Sequence, residues 1–567
     1  MTLKKIPEYA QEALPHNGIG TKKVLAVSMI FGSLFALAAL PAVRSVSLLD
    51  RVPLVAAWLP MVVVFSAVSY ALFLFTISPK REPSNSTISI FSLKLDDSKR
   101  TFWAMFVVLI ATRIPYLIIY WPGIILGDTW WQLGQINNPA TLSDHHPLFS
   151  TELLNLFMHL GKLFNGGQSL GFGLFAVAQV LFTSLILAYA FKRLFAWRTP
   201  RSLIILLFIS FTVLHLHNAW AVAIDKDVIF SFAVLLFVIA TIDIVKDPKG
   251  YFRYPLHWVI VIGSCALIML MRHNGIYLLA PAFFALALTV KPLRKSMLVS
   301  VLVCAALFFG MNWFIVDVLH VAPGPQKEML SVPIDQIARV SLLHSDGFTP
   351  DETEAVSKLF GGASPQKVGS LYDPVITDHV KDLFSETYYQ ANKQAFVKTY
   401  VELGKRYPLE YARSFLLGCY SYAFPGAYIS YVPDYAPDYA ARYTSIRNRL
   451  KDRERGRVTL SQRVRVTLYD TFDKARSIFP LSMLTGLGMA FWIAVFALAT
   501  LFLKRRTAPR ACVACFVAPF FLWLTCLASP VNGEFRYIYG LVLAAPVLLA
   551  FALRPNLAEQ DPPQPAS

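Results

Sequence analysis

Carboxylates, imidazoles and cations recur in four short polar intervals of an otherwise apolar chain of 567 residues. The first reads WPGIILGDTWWQLGQ and then LSDHHPLFSTELL, and holds Asp128, Gln132, Asp144, His145 and His146. AIDKDV supplies Asp225, Lys226 and Asp227, MRHNGIY supplies Arg272, His273 and Asn274, and SPVNGEFRY supplies Glu534 and Arg536. Arg113 stands inside the apolar run before the first interval, about two turns from its end. Cations of this kind bind phosphate, and a carboxylate or histidine beside them can take a proton. The residues predict Asp128 as a catalytic base, with His145 or His146 assisting. Arg272, Arg536, Arg113 and Lys226 are predicted to bind a phosphate. Trp130 and Trp131 are expected to shield Asp128 from water.

Each feature has a plainer reading. Asp128 follows Gly127 and suits a helix cap. His145 and His146 precede Pro147, which suits the first position of a helix. Arg113 can snorkel to an interface, and Asp225-Lys226-Asp227 can be a solvated turn. Asp128, His145 and His146 are acceptable ligands for a divalent ion, but adjacent histidines rarely share one ion and no spacing here is diagnostic. The residues call for no cofactor and leave a divalent metal open. His215 and His217 point in different directions if helical and read as satisfied polar groups.

The elements that must carry these intervals are apolar. The chain is 56% hydrophobic and only 15% charged, with mean hydropathy +0.51. Soluble domains carry about 25% charged residues. The apolar residues cluster at 24–43, 53–77, 101–121, 169–190, 202–220, 227–245, 256–271, 274–290, 296–316, 482–503, 511–529 and 535–553. Since a span needs about 20 such residues, the runs predict an all-α polytopic membrane protein with about twelve transmembrane helices. The runs at 256–271 and 274–290 are short and nearly abut. The first run has too long an apolar core for a cleaved signal and reads as a retained span.

A net charge of +17 invites a nucleic-acid reading, which the distribution removes. Lysines and arginines gather before span one and after spans two, four, six, eight and ten, as in Lys22-Lys23, Lys80-Arg81, Lys192-Arg193, Lys246, Lys291 and Lys504-Arg505-Arg506. With simple alternation these loops share one side, which the positive-inside rule makes cytoplasmic. Both termini and the loops at 78–100, 191–201 and 504–510 are therefore expected in the cytoplasm. The four polar intervals fall on the other side, together with a mainly helical extracytoplasmic domain at 317–481. Within it, 351–360 and 388–406 show helical spacing. Six scattered cysteines give no disulfide framework or zinc site. The tail at 554–567 is Pro-rich and expected to be disordered.

The WPGIILGDTWWQ and SDHHP segments resemble a family of bacterial membrane proteins similar to the GT-C class of membrane glycosyltransferases. The resemblance extends through RHNGIY, SVPIDQIARV at 331–340 and EFRYIYG, from about residue 101 onward. It implies a GT-C-like core at 101–316 with a catalytic first long outer loop at 122–168, preceded at 1–100 by a cytoplasmic segment and two added helices. C-terminal helices follow at 482–553. It also implies transfer of a sugar from a polyprenyl-phosphate donor to a cell-envelope glycan, lipid or protein, at the inner membrane, with inversion at the anomeric carbon. The class places an acidic base in its first long outer loop, where this chain has Asp128. Many members pair two acids there, whereas this chain has Asp128-Thr129. The tyrosines of YSYAFPGAYISYVPDYAPDYAARY can pack sugar faces or simply lie at a membrane interface. A transporter or flippase of lipid-linked saccharides, or a non-catalytic envelope assembly protein, are the other classes. A transporter is expected to carry midplane polar groups and repeated halves, and no repeat is visible.

Overall fold

The computed structural model describes residues 20–46, 54–77, 88–90, 93–426, 460–478, 486–504, 510–529 and 531–554. The N-terminal segment with Lys4 and Lys5, the loop cations Lys80, Arg81, Arg505 and Arg506, the Tyr-rich stretch beyond Gly426 and the tail after Arg554 lie outside the described residues.

Hydrocarbon offers no partner to a backbone N–H or C=O, so an apolar run in a bilayer must close its hydrogen bonds internally. Each of the twelve apolar runs accordingly carries a helix. In chain order these include α1 (Thr21–Val46), α2 (Leu54–Ile77), α3 (Lys99–Ile119), α4 (Gly127–Asn137), α5 (Leu148–Leu163) and α6 (Gly167–Ala196). There follow α7 (Arg201–Val213), α8 (His215–Val222), α9 (Lys226–Lys246), α10 (Pro255–Met271), α11 (Ile276–Thr289) and α12 (Arg294–Trp313). Eight helices among the described residues are long and apolar enough to cross a membrane, or nine if α7 and α8, bent by 53°, form one span. The segments Pro255–Met271, His273–Thr289 and Leu487–Leu503 are shorter apolar helices. Helix length and composition alone thus support eight or nine crossings among the described residues, and the other three apolar runs carry these shorter helices.

Burial ranks these helices. In α9, 94% of the apolar window is buried within the protein, against 17% in α3 and 11% in the Lys291–Val318 segment. Helix α9 is therefore the hub, while α3 and the Lys291–Val318 segment expose apolar side chains at the periphery. After α12 the chain forms a helical domain with its own core, in which α13 (Ser331–His344), α14 (Pro350–Leu359), α15 (Lys393–Arg406) and α16 (Pro408–Cys419) bury Ile334, Val356, Phe360 and Phe396. Helix α14 starts on a capping box, with Thr349 and Glu352 each bonding the other's backbone N–H. The helical stretch expected at 388–406 is broken at Asn392, between a short helix Glu386–Ala391 and α15. Helices α17 (Leu460–Ser477), α18 (Leu487–Leu503), α19 (Val517–Leu527) and α20 (Phe535–Ala552) complete the chain, with α20 packed on α9 and α18. The six cysteines are free.

At the end of the bundle remote from the domain, Arg193 of α6 meets Asp243 of α9 at 2.7 Å, and the Trp197 indole N–H donates to the same carboxylate oxygen at 2.8 Å. The Lys504 ammonium donates to the carbonyls of Ala552 and Arg554 at 2.9 and 3.0 Å, satisfying the open end of α20. Removing one partner of a buried ion pair costs about 3–5 kcal/mol, because the other charge stays buried. Asp243→Asn should therefore lower the thermal unfolding midpoint of the detergent-purified protein by several degrees. An unchanged midpoint would show that the pair does not hold α6 to α9.

Candidate functional site

Two short strands, β3 (Ile124–Ile125) and β4 (Ala223–Ile224), are the junction from which the site is built; the antiparallel pair β1 (Ile88–Ile90) and β2 (Leu93–Leu95) lies apart from it. Strand β3 pairs in parallel with β4, Ile124 with Ala223 and Ile125 with Ile224. The pairing joins the loop after α3 to the turn before α9. Gly123 makes the approach possible: its φ is +127°, and a Cβ there would lie 2.8 Å from Ile224 Cδ1 and 3.2 Å from the Val222 carbonyl. The Thr129 hydroxyl donates to the Ile224 carbonyl. From α6, the Gln179 amide donates to the Ala221 and Ala223 carbonyls at 3.1 and 2.6 Å.

This junction places Asp128, in the first turn of α4, beside Lys226, in the first turn of α9. The Lys226 ammonium donates to Asp128 Oδ2 and lies 3.4 Å from His146 Nδ1. Arg536, in the first turn of α20, reaches Asp128 Oδ1 at 2.9 Å, Asp225 at 3.5 Å, Asp227 at 3.9 Å and Glu534 at 3.4 Å. Arg272 pairs with Asp227 at 3.1 Å. The Tyr537 ring lies 4.6 Å from the Arg272 guanidinium and 5.2 Å from that of Arg536, so one aromatic ring supports both cations. Lys226 and Arg536 stand at helix N-termini, where the helix dipole disfavours cations. The surrounding carboxylates offset that, and Asp225 also caps α9 by accepting the Asp227 N–H at 2.7 Å.

Electrostatics divides the acids. Burial pushes the Asp128 carboxyl up, but Arg536 and Lys226 outweigh it and hold the group well below the usual carboxylate range. Its side chain nevertheless keeps 23% of its surface open. Burial, reinforced by Asp227, drives Asp225 up to about 7. Glu534 is raised by burial against the pull of Arg536. His146 is pushed down to about 3 by burial and Lys226, which keeps the imidazole neutral.

The structure thus gathers Asp128, His146, Asp225, Lys226, Asp227, Arg272, Glu534 and Arg536. Asp144 and His273 form a neighbouring pair: the His273 ring lies 2.8 Å from the Asp144 carbonyl and 3.8 Å from its carboxylate. Asp144 also accepts the Leu148 N–H at 2.9 Å, fixing the start of α5. The Gln132 amide donates to the hydroxyls of Ser150 and Thr151, pinning α4 to α5. His145 is exposed, its ring tilted by 56° against that of His146 with centroids 4.6 Å apart. The Asn274 side-chain oxygen is buried without a hydrogen bond. Arg113 lies elsewhere, fully buried against the hydroxyls of Thr183 and Ser184 inside the bundle.

Three readings change. Asp128 is no side-chain cap, because the α4 N-cap is Leu126 and accepts no side-chain bond. Trp130 and Trp131 do not shield it: they are 49% and 74% exposed, and the neighbouring cations cover the carboxylate instead. Pro147 precedes α5 as its N-cap rather than starting it. A divalent ion bound by Asp128, His145 and His146 does not fit this arrangement, since the Lys226 ammonium bridges Asp128 and His146 while His145 turns outward. Among the described residues no group of three or more His, Cys, Asp or Glu is placed to hold a metal. Sequence reasoning missed Tyr537, Thr129 and Gln179. Gln179 was open to detection as an amide inside an apolar run; Thr129 and Tyr537 carry no such signal.

The domain is tied to this cluster. The Asp144 N–H donates to the Ala322 carbonyl at 2.8 Å, and the Asn532 N–H to the Val375 carbonyl at 2.8 Å. The Tyr422 hydroxyl donates to the Val531 carbonyl at 3.0 Å and accepts the Glu534 N–H at 3.0 Å. His215 and His217 are buried in α8, 3.3 Å from the hydroxyls of Tyr116 and Tyr539 respectively.

Because the β3–β4 contact requires a glycine, Gly123→Ala should destabilise the protein by about 1–3 kcal/mol, the cost of forcing a side chain into a disfavoured backbone region. Gly134→Ala, where a Cβ meets nothing within 4 Å, is the control and should be neutral or slightly stabilising. Equal melting temperatures for the two variants would mean that the junction tolerates separation.

No curated protein and no solved structure matches the chain. A protein family described as a family of unknown function (DUF6020) matches residues 136–563. The match takes in His146, Lys226, Arg272 and Arg536 and begins after Asp128. Since it covers most of the chain, this multi-pass helical protein belongs to the DUF6020 family.

Proposed function

We propose that this protein is an integral membrane glycosyltransferase of the GT-C type. It moves a sugar from a polyprenyl-phosphate donor to a cell-envelope glycan, lipid or protein. It crosses the inner membrane about twelve times, with the shorter apolar helices as additional spans, and its termini and Lys/Arg-rich loops are cytoplasmic. The observation that carries the reading is the position of Asp128: a partly open carboxylate in direct contact with two cations, Lys226 and Arg536, on the face that bears the helical domain.

The reaction needs a base and a neutraliser of charge. The acceptor hydroxyl gives its proton to Asp128 while its oxygen bonds to the anomeric carbon. The bond from that carbon to the phosphate oxygen breaks, and its electron pair leaves with the lipid phosphate. Lys226, Arg536 and Arg272 balance the charge that grows there. In the resting site Asp128 is a weak base, because Arg536 and Lys226 stabilise its ionised form. A phosphate that draws these cations away relieves that hold and strengthens the base.

A second reading, transport of a lipid-linked saccharide, is favoured by the polar groups Arg113, Thr183, Ser184, His217 and Tyr539 buried inside the bundle, since ionisable groups at membrane depth often line transport paths. Incubation of the purified protein with a radiolabelled polyprenyl-phosphate sugar and envelope acceptors separates the two, because only a transferase releases free lipid phosphate. Asp128→Asn should reduce that release by about 10²–10⁴-fold, the contribution of a positioned base, while expression persists. Near-normal release by the variant would remove Asp128 from the chemistry, and no release by the wild type with any donor would remove the transferase reading.

A further inference from the structure

The cluster is already paired before any ligand arrives. Four carboxylates, Asp128, Asp225, Asp227 and Glu534, surround three cations, Lys226, Arg272 and Arg536, and His146 is neutral. Fully ionised, the set carries one excess negative charge. A phosphate entering it adds another in a place with little water to screen it, and separated unbalanced charge is costly there. Either a cation is recruited or a carboxylate takes a proton.

One carboxylate is built for the proton. The Asp225 side chain is fully buried, whereas Asp128 and Glu534 keep 23% and 32% of their side-chain surface. Asp225 Oδ1 is committed to the Asp227 N–H, and Oδ2 has no hydrogen bond, its nearest cation being Arg536 at 3.5 Å. Asp225 also lines a cavity of about 10 Å³ with Thr129, Gln132, Ser150, Lys226 and Met271, a volume near that of a single water. The charged groups that act on it are Asp128 from α4, Lys226 and Asp227 from α9 and Arg536 from α20, with Glu534 beyond Arg536, Arg272 behind Asp227 and His146 behind Lys226. A phosphate that engages Arg536 removes the cation nearest to Oδ2 and leaves Asp225 facing Asp227 and the new anion.

We propose that Asp225 takes up a proton when a lipid phosphate enters the cluster, so that anion and proton bind together and the neutral acid becomes a hydrogen-bond donor inside the site. The inference rests on the phosphate-binding reading given above and assigns Asp225 as a positioning residue for it. The free group, raised by burial and by Asp227, titrates at about 7. The sign follows. Below that pH Asp225 already holds its proton and binding costs none. Above it, binding must draw a proton from solution, and affinity falls as pH rises, approaching tenfold per pH unit.

Titration calorimetry of the detergent-purified protein with farnesyl methyl phosphate, a prenyl phosphodiester whose single charge is constant over the range, tests this. Measured at pH 8 in two buffers of different ionisation enthalpy, the wild type should take up close to one proton per phosphodiester bound. At pH 6 uptake should be much smaller. Asp225→Asn, fixed in a neutral form, should lose both the uptake at pH 8 and the fall in affinity from pH 7 to 8. Asp335→Asn, at a buried acid of α13 outside the cluster, should keep both. Binding without proton uptake, or uptake that survives in Asp225→Asn, overturns the role of Asp225 while leaving the phosphate site standing. No binding of the phosphodiester by the wild type at either pH overturns the phosphate site itself.

Discussion

An ionised carboxylate can stay partly covered at the edge of an apolar bundle only if cations reach it, and Asp128 is reached by two. Lys226 arrives from α9 and Arg536 from α20, so the ion cluster is also a packing constraint on the helices that start beside it. The parallel β3–β4 contact sets the distance between the α4 and α9 starts, and Gly123 permits that contact. The hub helix α9 then fixes the other partners, because Asp225 caps it and Asp227 in its first turn holds Arg272. The charges cannot be rearranged piecemeal, since Asp227 stands between Arg272 and Arg536 and Arg536 touches four acids.

The helical domain belongs to the same constraint. The Asn532 side chain donates to the Leu417 carbonyl at 2.8 Å, and the Trp523 indole donates to the Tyr422 carbonyl at 2.8 Å. These bonds hold the 531–534 loop, and Glu534 and Arg536 follow directly from it. A shift of the domain would move Arg536 relative to Asp128. In the proposed reaction this coupling gives the helical domain a mechanical link to the cation that restrains the base.

What the sequence made legible followed from local physics. Apolar runs must be helical in hydrocarbon, and all twelve carry helices. Polar residues at the ends of those runs were found by type, and most of them converge. Distances between loops far apart in sequence were not legible. Arg113 and Arg536 look alike as arginines at apolar runs, yet one is enclosed by Thr183 and Ser184 and the other joins the cluster. Asp128 and Asp144 both lie at helix starts, but Asp144 supplies the local bond to the α5 start while Asp128 reaches across to α9 and α20. Trp130 misled because a residue two positions on in a helix turns to a different face, and Trp131, three positions on, is largely exposed. The crossings were least legible where helices are short, since composition fixes that a run is apolar more firmly than where its helix ends.

The central claim is that the cluster around Asp128 receives a lipid phosphate. An experimental structure of the protein in lipid nanodiscs with a non-cleavable polyprenyl phosphonate sugar tests it most directly. The account predicts the phosphonate within hydrogen-bonding distance of Arg536 and Lys226, with the contact between Arg536 and Asp128 lengthened. A phosphonate bound beside Arg113 within the bundle, or at the end near Arg193 and Asp243, with the ion pairs of Asp128 intact, would contradict it.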